Sequence, residues 1–244
     1  LFPSLTGAIY AVITITFRCN QNITGLAITI FGNGLTQFLM HSYVDRSGFS
    51  TAGKIIAKCL PFAENSDGIV KVLFGHGIYV YLAIAIALIT TFIFNRTRIG
   101  LNLRAIGESA ATADAMGVNV TKYKYVAILI GSGIAGFGGV FYIMDYVKGS
   151  WETASTIEAF GWLAIALVIF TLWKPNISII GSYIFGALYI AAFVFGNITS
   201  SEREILKMLP YVITIIVLII TSITNKKENQ PPASLGLSYF REDR

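Results

Sequence analysis

Two stretches of the chain carry the residue spacing of nucleotide-binding loops. Gly48-Phe-Ser-Thr-Ala-Gly53-Lys54 matches the first seven positions of a phosphate-cradling P-loop. The eighth, where a Ser or Thr hydroxyl would hold Mg²⁺, is Ile55. Gly131-Ser-Gly133-Ile-Ala-Gly136 fits the dinucleotide fingerprint, but it lies inside a long apolar run with no strand before it. Neither is read as a nucleotide site. In the second, Gly131, Ala135 and Gly139 recur at every fourth residue. That small-xxx-small pattern lets membrane helices approach closely.

Other chemistry is sparse. His41 and His76 stand apart, both bordering a polar stretch. Cys19 and Cys59 form no C-x-x-C and have no histidine at ligand spacing. No nucleophile–base pair, carboxylate pair or metal-ligand set is apparent, so neither a catalytic centre nor a cofactor is expected. The Asn-x-Ser/Thr triplets at Asn22, Asn95, Asn119, Asn176 and Asn197 need no modification to explain them. Four amides, Asn20, Asn22, Asn33 and Gln37, lie within or beside apolar sequence. An amide both donates and accepts, which suits the hydroxyls or base edge of a polar solute on a path through the protein. The same groups also suit capping and bridging of helices, and both readings stay open.

The elements that must carry these residues are set by where charge does not occur. Of 244 residues, 55% are hydrophobic and 13% charged, whereas a soluble domain has roughly 25% charged residues. A charge at the centre of a spanning helix costs about 2.5–3.5 kcal/mol. Spans should therefore appear as gaps between charges. Such gaps run for 26 residues after Arg18, 24 after Lys71, 20 after Lys124, 27 after Lys174 and 18 after Lys207. A gap of 15 follows Glu158, and residues 1–17 are also uncharged. The expected fold is an all-α, polytopic transmembrane helix bundle. Its seven apolar cores fall near 2–17, 23–40, 77–94, 125–144, 159–173, 177–196 and 208–224. The fifth is short for a straight span, and either a re-entrant or a tilted course would accommodate it. Residues 18–22 read as a short loop or a buried helix break. Leu1 already lies in apolar sequence, so the N-terminus is expected to be incomplete.

The formal charge of +5 is read as a topology signal, with no nucleic-acid partner. Arg96, Arg98, Arg104, Lys122 and Lys124 crowd 95–124, and Lys226 and Lys227 follow the last apolar run. Both clusters are placed on the cytoplasmic side, with 41–76 and Ser200–Lys207 outside. The chain then divides into a transmembrane domain, 1–224, and a cytoplasmic tail, 225–244.

The loop 95–124 is too polar to span. Glu108 to Met116 is rich in alanine, the best helix former. Gly117 is placed to end a helix and Asn119 to cap the next span. A short helix bracketed by Gly107 and Gly117 is expected, either for insertion into a partner's groove or as a solvated connection between spans.

This loop resembles the cytoplasmic loop of ABC-importer permeases. In that family a glutamate, two alanines and a downstream glycine form a coupling helix that docks on the ATPase. The matching residues are Glu108, Ala110, Ala111 and Gly117, with Gly107 beside them, although Glu-Ser-Ala-Ala stands here for the usual Glu-Ala-Ala. The stretches TRIGLNLRAIGESAATADAMGVNV, GWLAIALVIFTLWKP and QPPASLGLSYFRE are similar to the branch serving branched-chain amino acids, simple sugars and nucleosides. FRCNQNITGLAITIFGNGL and the Pro-Pro tail look closest to nucleoside or sugar permeases. The resemblance implies a multi-pass cell-membrane subunit without its own ATP site. Its implied partners are an ATP-binding-cassette ATPase, a second permease and an extracytoplasmic substrate-binding protein. The alternative class is a secondary transporter or channel. No ionisable residue lies mid-gap to couple ions, and no inverted repeat is visible.

Overall fold

The computed structural model describes residues 2–42, 75–149, 154–194, 199–224 and 230–239. Gly48–Ile55, Cys59, Asn197, Lys226, Lys227 and most of 41–76 lie outside the described residues. Every regular element described is helical. In chain order these are α1 (Phe2–Ala11), α2 (Gln21–Ser42), α3 (Ile78–Arg96), α4 (Arg98–Glu108), α5 (Ala110–Ala115), α6 (Val120–Phe141), α7 (Ala154–Phe170), α8 (Pro175–Val194), α9 (Ser200–Lys207) and α10 (Leu209–Thr224). Each of the seven charge-free runs contains a helix. Four are long and apolar enough to cross a membrane: Gln21–Ser42, Ile78–Arg96, Val120–Tyr146 and Glu204–Thr224. Phe2–Thr16, Ile157–Phe170 and Pro175–Ala191 are shorter apolar helices. The all-α, polytopic membrane fold is as expected.

In lipid the backbone must satisfy its own hydrogen bonds, and so must any hydroxyl it carries. The span threonines do this by donating back to the preceding turn. Thr14 bonds Tyr10 O at 2.8 Å, Thr24 bonds Asn20 O at 2.8 Å, and Thr214 bonds Pro210 O at 2.8 Å. All three are buried.

Two compact units are distinguishable: residues 1–83, 102–157 and 234–244, and residues 84–101 and 158–233. In the first, α1 lies antiparallel along α6. Pro3 meets Gly136, Ser4 meets Gly133, and Gly7 meets Ser132. A Cβ at Gly7 or Gly136 would collide with its opposite number. The small residues at the α1 contact are therefore Ser132, Gly133 and Gly136. Gly131 and Gly139, expected to form the packing stripe, have no neighbour there. The spacing of four is retained as Ser132-xxx-Gly136, rotated one residue because the facing surface is Pro3 to Gly7. Both α1 and α6 end in a π turn, Val12–Thr16 and Tyr142–Tyr146. After each turn a basic residue takes positive φ, Arg18 at 58° and Lys148 at 51°.

In the second unit α7 and α8 form an antiparallel hairpin. Phe160 packs at a tilt against Tyr189 and Phe170 against Phe185, with centroids 5.4 and 5.1 Å apart. Pro175 opens α8, where a missing N–H costs nothing. Ser200–Lys207, expected as an outer connecting stretch, is helix α9. Thr199 and Glu202 form a reciprocal capping box at its start. The bonds from Thr199 hold the Glu202 carboxyl below the usual carboxylate range. Pro210 cannot donate to the preceding turn, and Met208 is the junction between α9 and α10.

The register of the α1–α6 contact is testable. Gly7→Val should destabilise the detergent-solubilised protein by about 1–3 kcal/mol through overpacking. Gly131→Ala should stay within roughly 0.5 kcal/mol. Thermal unfolding of the two variants checks this, and equal effects would restore the Gly131 stripe.

Candidate functional site

The residues singled out between 98 and 119 form a compact helical knot outside the long spans. Thr97 starts it: its Oγ1 bonds Ile93 O at 2.7 Å and accepts from Gly100 N–H at 3.2 Å. Gly100 is obligatory, because a Cβ would strike the backbone of Ile93 and Phe94. α4 then runs through Gly107 and Glu108. The expected helix bracketed by Gly107 and Gly117 is thus shorter at its start, since Gly107 belongs to the last turn of α4. The boundary is Ser109, the residue that separates Glu108 from the alanine pair. Its extended backbone and its Oγ, accepting from Thr112 N–H at 3.3 Å, N-cap α5.

α5 has only six residues and stops in a Schellman arrangement. Gly117 N–H donates to Asp114 O at 2.9 Å, and Val118 N–H to Ala113 O at 3.1 Å. Gly117 has φ of 83°, a conformation a side chain would strain. Asn119 then caps α6 by accepting from Lys122 N–H at 2.9 Å, as its position in the sequence suggests.

The helix has two faces. Ala110 and Ala113, three residues apart, are buried with Ile106 and Val120 in one cluster, against which Val118, Tyr123 and Tyr239 pack. Glu108, Ala111, Thr112, Ala115, Met116 and Gly117 are exposed. Met116 is 80% exposed at the tip. Of the residues matched to a coupling helix, Ala110 is thus a packing residue, while Glu108, Ala111 and Gly117 lie on the outer surface. Met116 was not anticipated; a lone methionine before a glycine gives no signal in the sequence. Asn102 Nδ2 donates to Tyr123 Oη at 2.8 Å and ties α4 to α6.

The four amides separate into two roles. Asn20 Oδ1 accepts from the N–H groups of Asn22 and Ile23 at 2.9 and 3.2 Å, which caps the start of α2. Asn22, Asn33 and Gln37 lie on α2 itself. Eleven residues make about three turns, so Asn22 and Asn33 share a face, and Gln37 follows one turn on. Thr29 falls on the same stripe, its hydroxyl bonded to Gly25 O at 2.9 Å. Gly25 and Ile28 occupy an adjoining face and border a groove of about 330 Å³ with Gly7 of α1 and Gly131 of α6. Among the described residues no cluster of His, Cys, Asp and Glu could hold a metal ion.

Residues 1–218 match the family model of the permease component of branched-chain amino acid transport systems. The chain belongs to this permease family. A nucleoside ABC transporter permease of Lactococcus lactis is 30% identical over 226 residues, covering 89% of this chain and 71% of the relative. A guanosine ABC transporter permease of Bacillus subtilis is 29% identical, covering 99% of this chain and 75% of the relative. A Haloferax volcanii protein carrying the name glucose ABC transporter permease is 32% identical over 188 residues, 74% of this chain. The chain spans about half (54%) of that relative's length. No solved structure matches. Membership of this permease family and the apolar helices together make the chain a multi-pass membrane transport component.

The caps that define α5 should be measurable. Ser109→Ala removes an N-cap worth about 1 kcal/mol, and Gly117→Val forces a strained φ. Both should accelerate limited proteolysis between residues 105 and 120. Thr121→Ala, whose neighbours Asn119 and Lys122 keep their bond, should leave the cleavage rate unchanged.

Proposed function

We propose that this chain is a membrane-spanning subunit of an ATP-driven importer for nucleosides, with simple sugars as the alternative cargo. α5 is the part on which a separate ATPase acts. The observation that carries the reading is the two-faced geometry of α5. One face is fastened to its own chain through Ala110 and Ala113, and the other offers Ala111, Ala115 and Met116 to a partner. Small side chains allow close approach, and Met adapts to an irregular surface. Glu108 adds a negative charge at the rim.

Energy then comes from outside the chain. Closure of the ATPase pair pushes on α5, and the packing of Ala110 and Ala113 against Ile106 and Val120 passes the push to the spans. A second permease completes the path, and an external binding protein delivers the cargo. Residues 98–119 and the tail lie on the cytoplasmic side in this scheme, and the break at Arg18–Asn20 shares that side. α1 runs antiparallel to α6, with Thr16 bonded to Tyr125 near the α6 start at 2.5 Å. Residues near Asp145 and Gly77 lie at the opposite end of the same helix pair.

The cargo reading rests on α2. A stripe of Asn22, Thr29, Asn33 and Gln37 is costly against lipid, because an amide finds no water there. It is best accommodated facing protein or an aqueous path. Amides on such a path match the hydroxyls of ribose or the edge of a base, consistent with relatives named for nucleosides and guanosine.

Three measurements test this in proteoliposomes holding the complete transporter. Ala111→Trp should abolish most substrate-stimulated ATP hydrolysis and uptake while the subunits still co-purify; retained coupling would remove α5 from the mechanism. Asn33→Leu should weaken uptake with ATPase assembly intact, and normal uptake would return α2 to a purely structural role. Single cysteines at Ala111 and Leu235 should react with impermeant reagents only from the inner face. Ala110 is unsuitable for labelling because it is buried.

A further inference from the structure

A six-residue helix cannot hold itself in place, since isolated helices shorter than about 12–15 residues are marginal. Something must fix the inclination of α5, and the α4 and α6 ends supply two supports. The third is a segment far along the chain. Ser234 N–H and Oγ donate to Gly107 O at 2.9 and 2.5 Å, and Ser234 Oγ also reaches Ile106 O at 2.9 Å. Ile106 and Gly107 are in the last turn of α4, whose carbonyls have no partner within the helix. The tail therefore caps α4 from 127 residues away. It next turns through Ser234–Leu237, closed by Leu237 N–H to Ser234 O at 3.2 Å, with Gly236 at φ 77° in the position that demands positive φ.

Tyr239 follows. Its ring packs on the Ile106–Ala110–Ala113–Val120 cluster, and its hydroxyl donates to Asp114 Oδ2 at 2.8 Å. Asp114 lies in the last turn of α5, where the helix dipole disfavours a carboxylate, so an outside donor there stabilises the turn. Lys124 Nζ stands 6.0 Å from the ring centroid. On its other side the tail touches α2, with Gln21 Nε2 donating to Leu237 O at 3.4 Å.

We infer that residues 234–239 are positioning residues for transport: a strut that sets α5 and links it to α2, the helix carrying the amide stripe. The tail is thus part of the lever, with Tyr239 its fixed point. This rests on the reading of α5 as the ATPase-coupling helix.

The test uses the complete transporter in proteoliposomes and measures uptake per ATP hydrolysed. Tyr239→Ala should lower that ratio roughly three- to tenfold, in the range by which residues along a coupling network act. Co-purification of the ATPase and basal hydrolysis should be unchanged, and Tyr239→Phe, which keeps the ring, should recover part of the ratio. Amide exchange over residues 108–118 should rise in Tyr239→Ala. Should that variant fail to assemble, the Ser234→Ala/Tyr239→Phe double variant decides, with an expected loss of about twofold or more. An unchanged ratio in the assembled variant overturns the strut. Ala111→Trp separates the two ideas. If it uncouples while the tail variants do not, only the strut falls; if it has no effect, the α5 reading falls with it.

Discussion

The constraint on which this structure depends is that backbone polar groups in a bilayer must be paired within the protein. It dictates helices wherever the chain is charge-free, and it makes every interruption of a helix a place of consequence. The described interruptions are each paired in a specific way. Thr97 bonds across the α3–α4 corner, Asn20 caps α2, Pro175 opens α8 without a donor to waste, and Ser109 and Gly117 delimit α5. The polar features with a functional reading gather at these interruptions or on the stripe of α2.

Much of the fold was legible because that constraint writes itself into charge placement. Each uncharged run between Leu1 and Lys226 contains a helix within a few residues of the expected core. The caps at Gly117 and Asn119 were legible for the same kind of reason, as single residues with strong local preferences. What was not legible depends on partners distant in sequence. Gly131/Ala135/Gly139 and Ser132/Gly136 are equally good small-residue stripes along one helix, and only Pro3 and Gly7 on α1 choose between them. Ser200–Lys207 looked like a connection because it is charged; the Thr199 and Glu202 pair was the available sign of a helix start.

The α5 region shows both cases at once. Alanine content and a following glycine announced a short helix, but its true start was set by Ser109, which also explains the extra residue before the alanine pair. Which alanine faces inward follows from contacts with Val120 and with Tyr239. The last of these spans 125 residues from Asp114 to Tyr239, a pairing that no local pattern encodes. The helix and the 234–239 segment are thus joined through the Tyr239 ring and its bond to Asp114. In the proposed mechanism a push on Ala111 or Met116 would pass through the buried Ala110 and Ala113 to Ile106, Val120 and Tyr239, which pack with them.

The central claim is that the exposed face of α5 is where the ATPase engages. The most direct measurement is photocrosslinking in intact membranes, with a benzophenone amino acid replacing Ala115 and the adduct identified by mass spectrometry. The account predicts an adduct with the ATP-binding-cassette subunit, lost when that subunit is absent. An adduct with the external binding protein, or with lipid alone while the ATPase is bound, would contradict it.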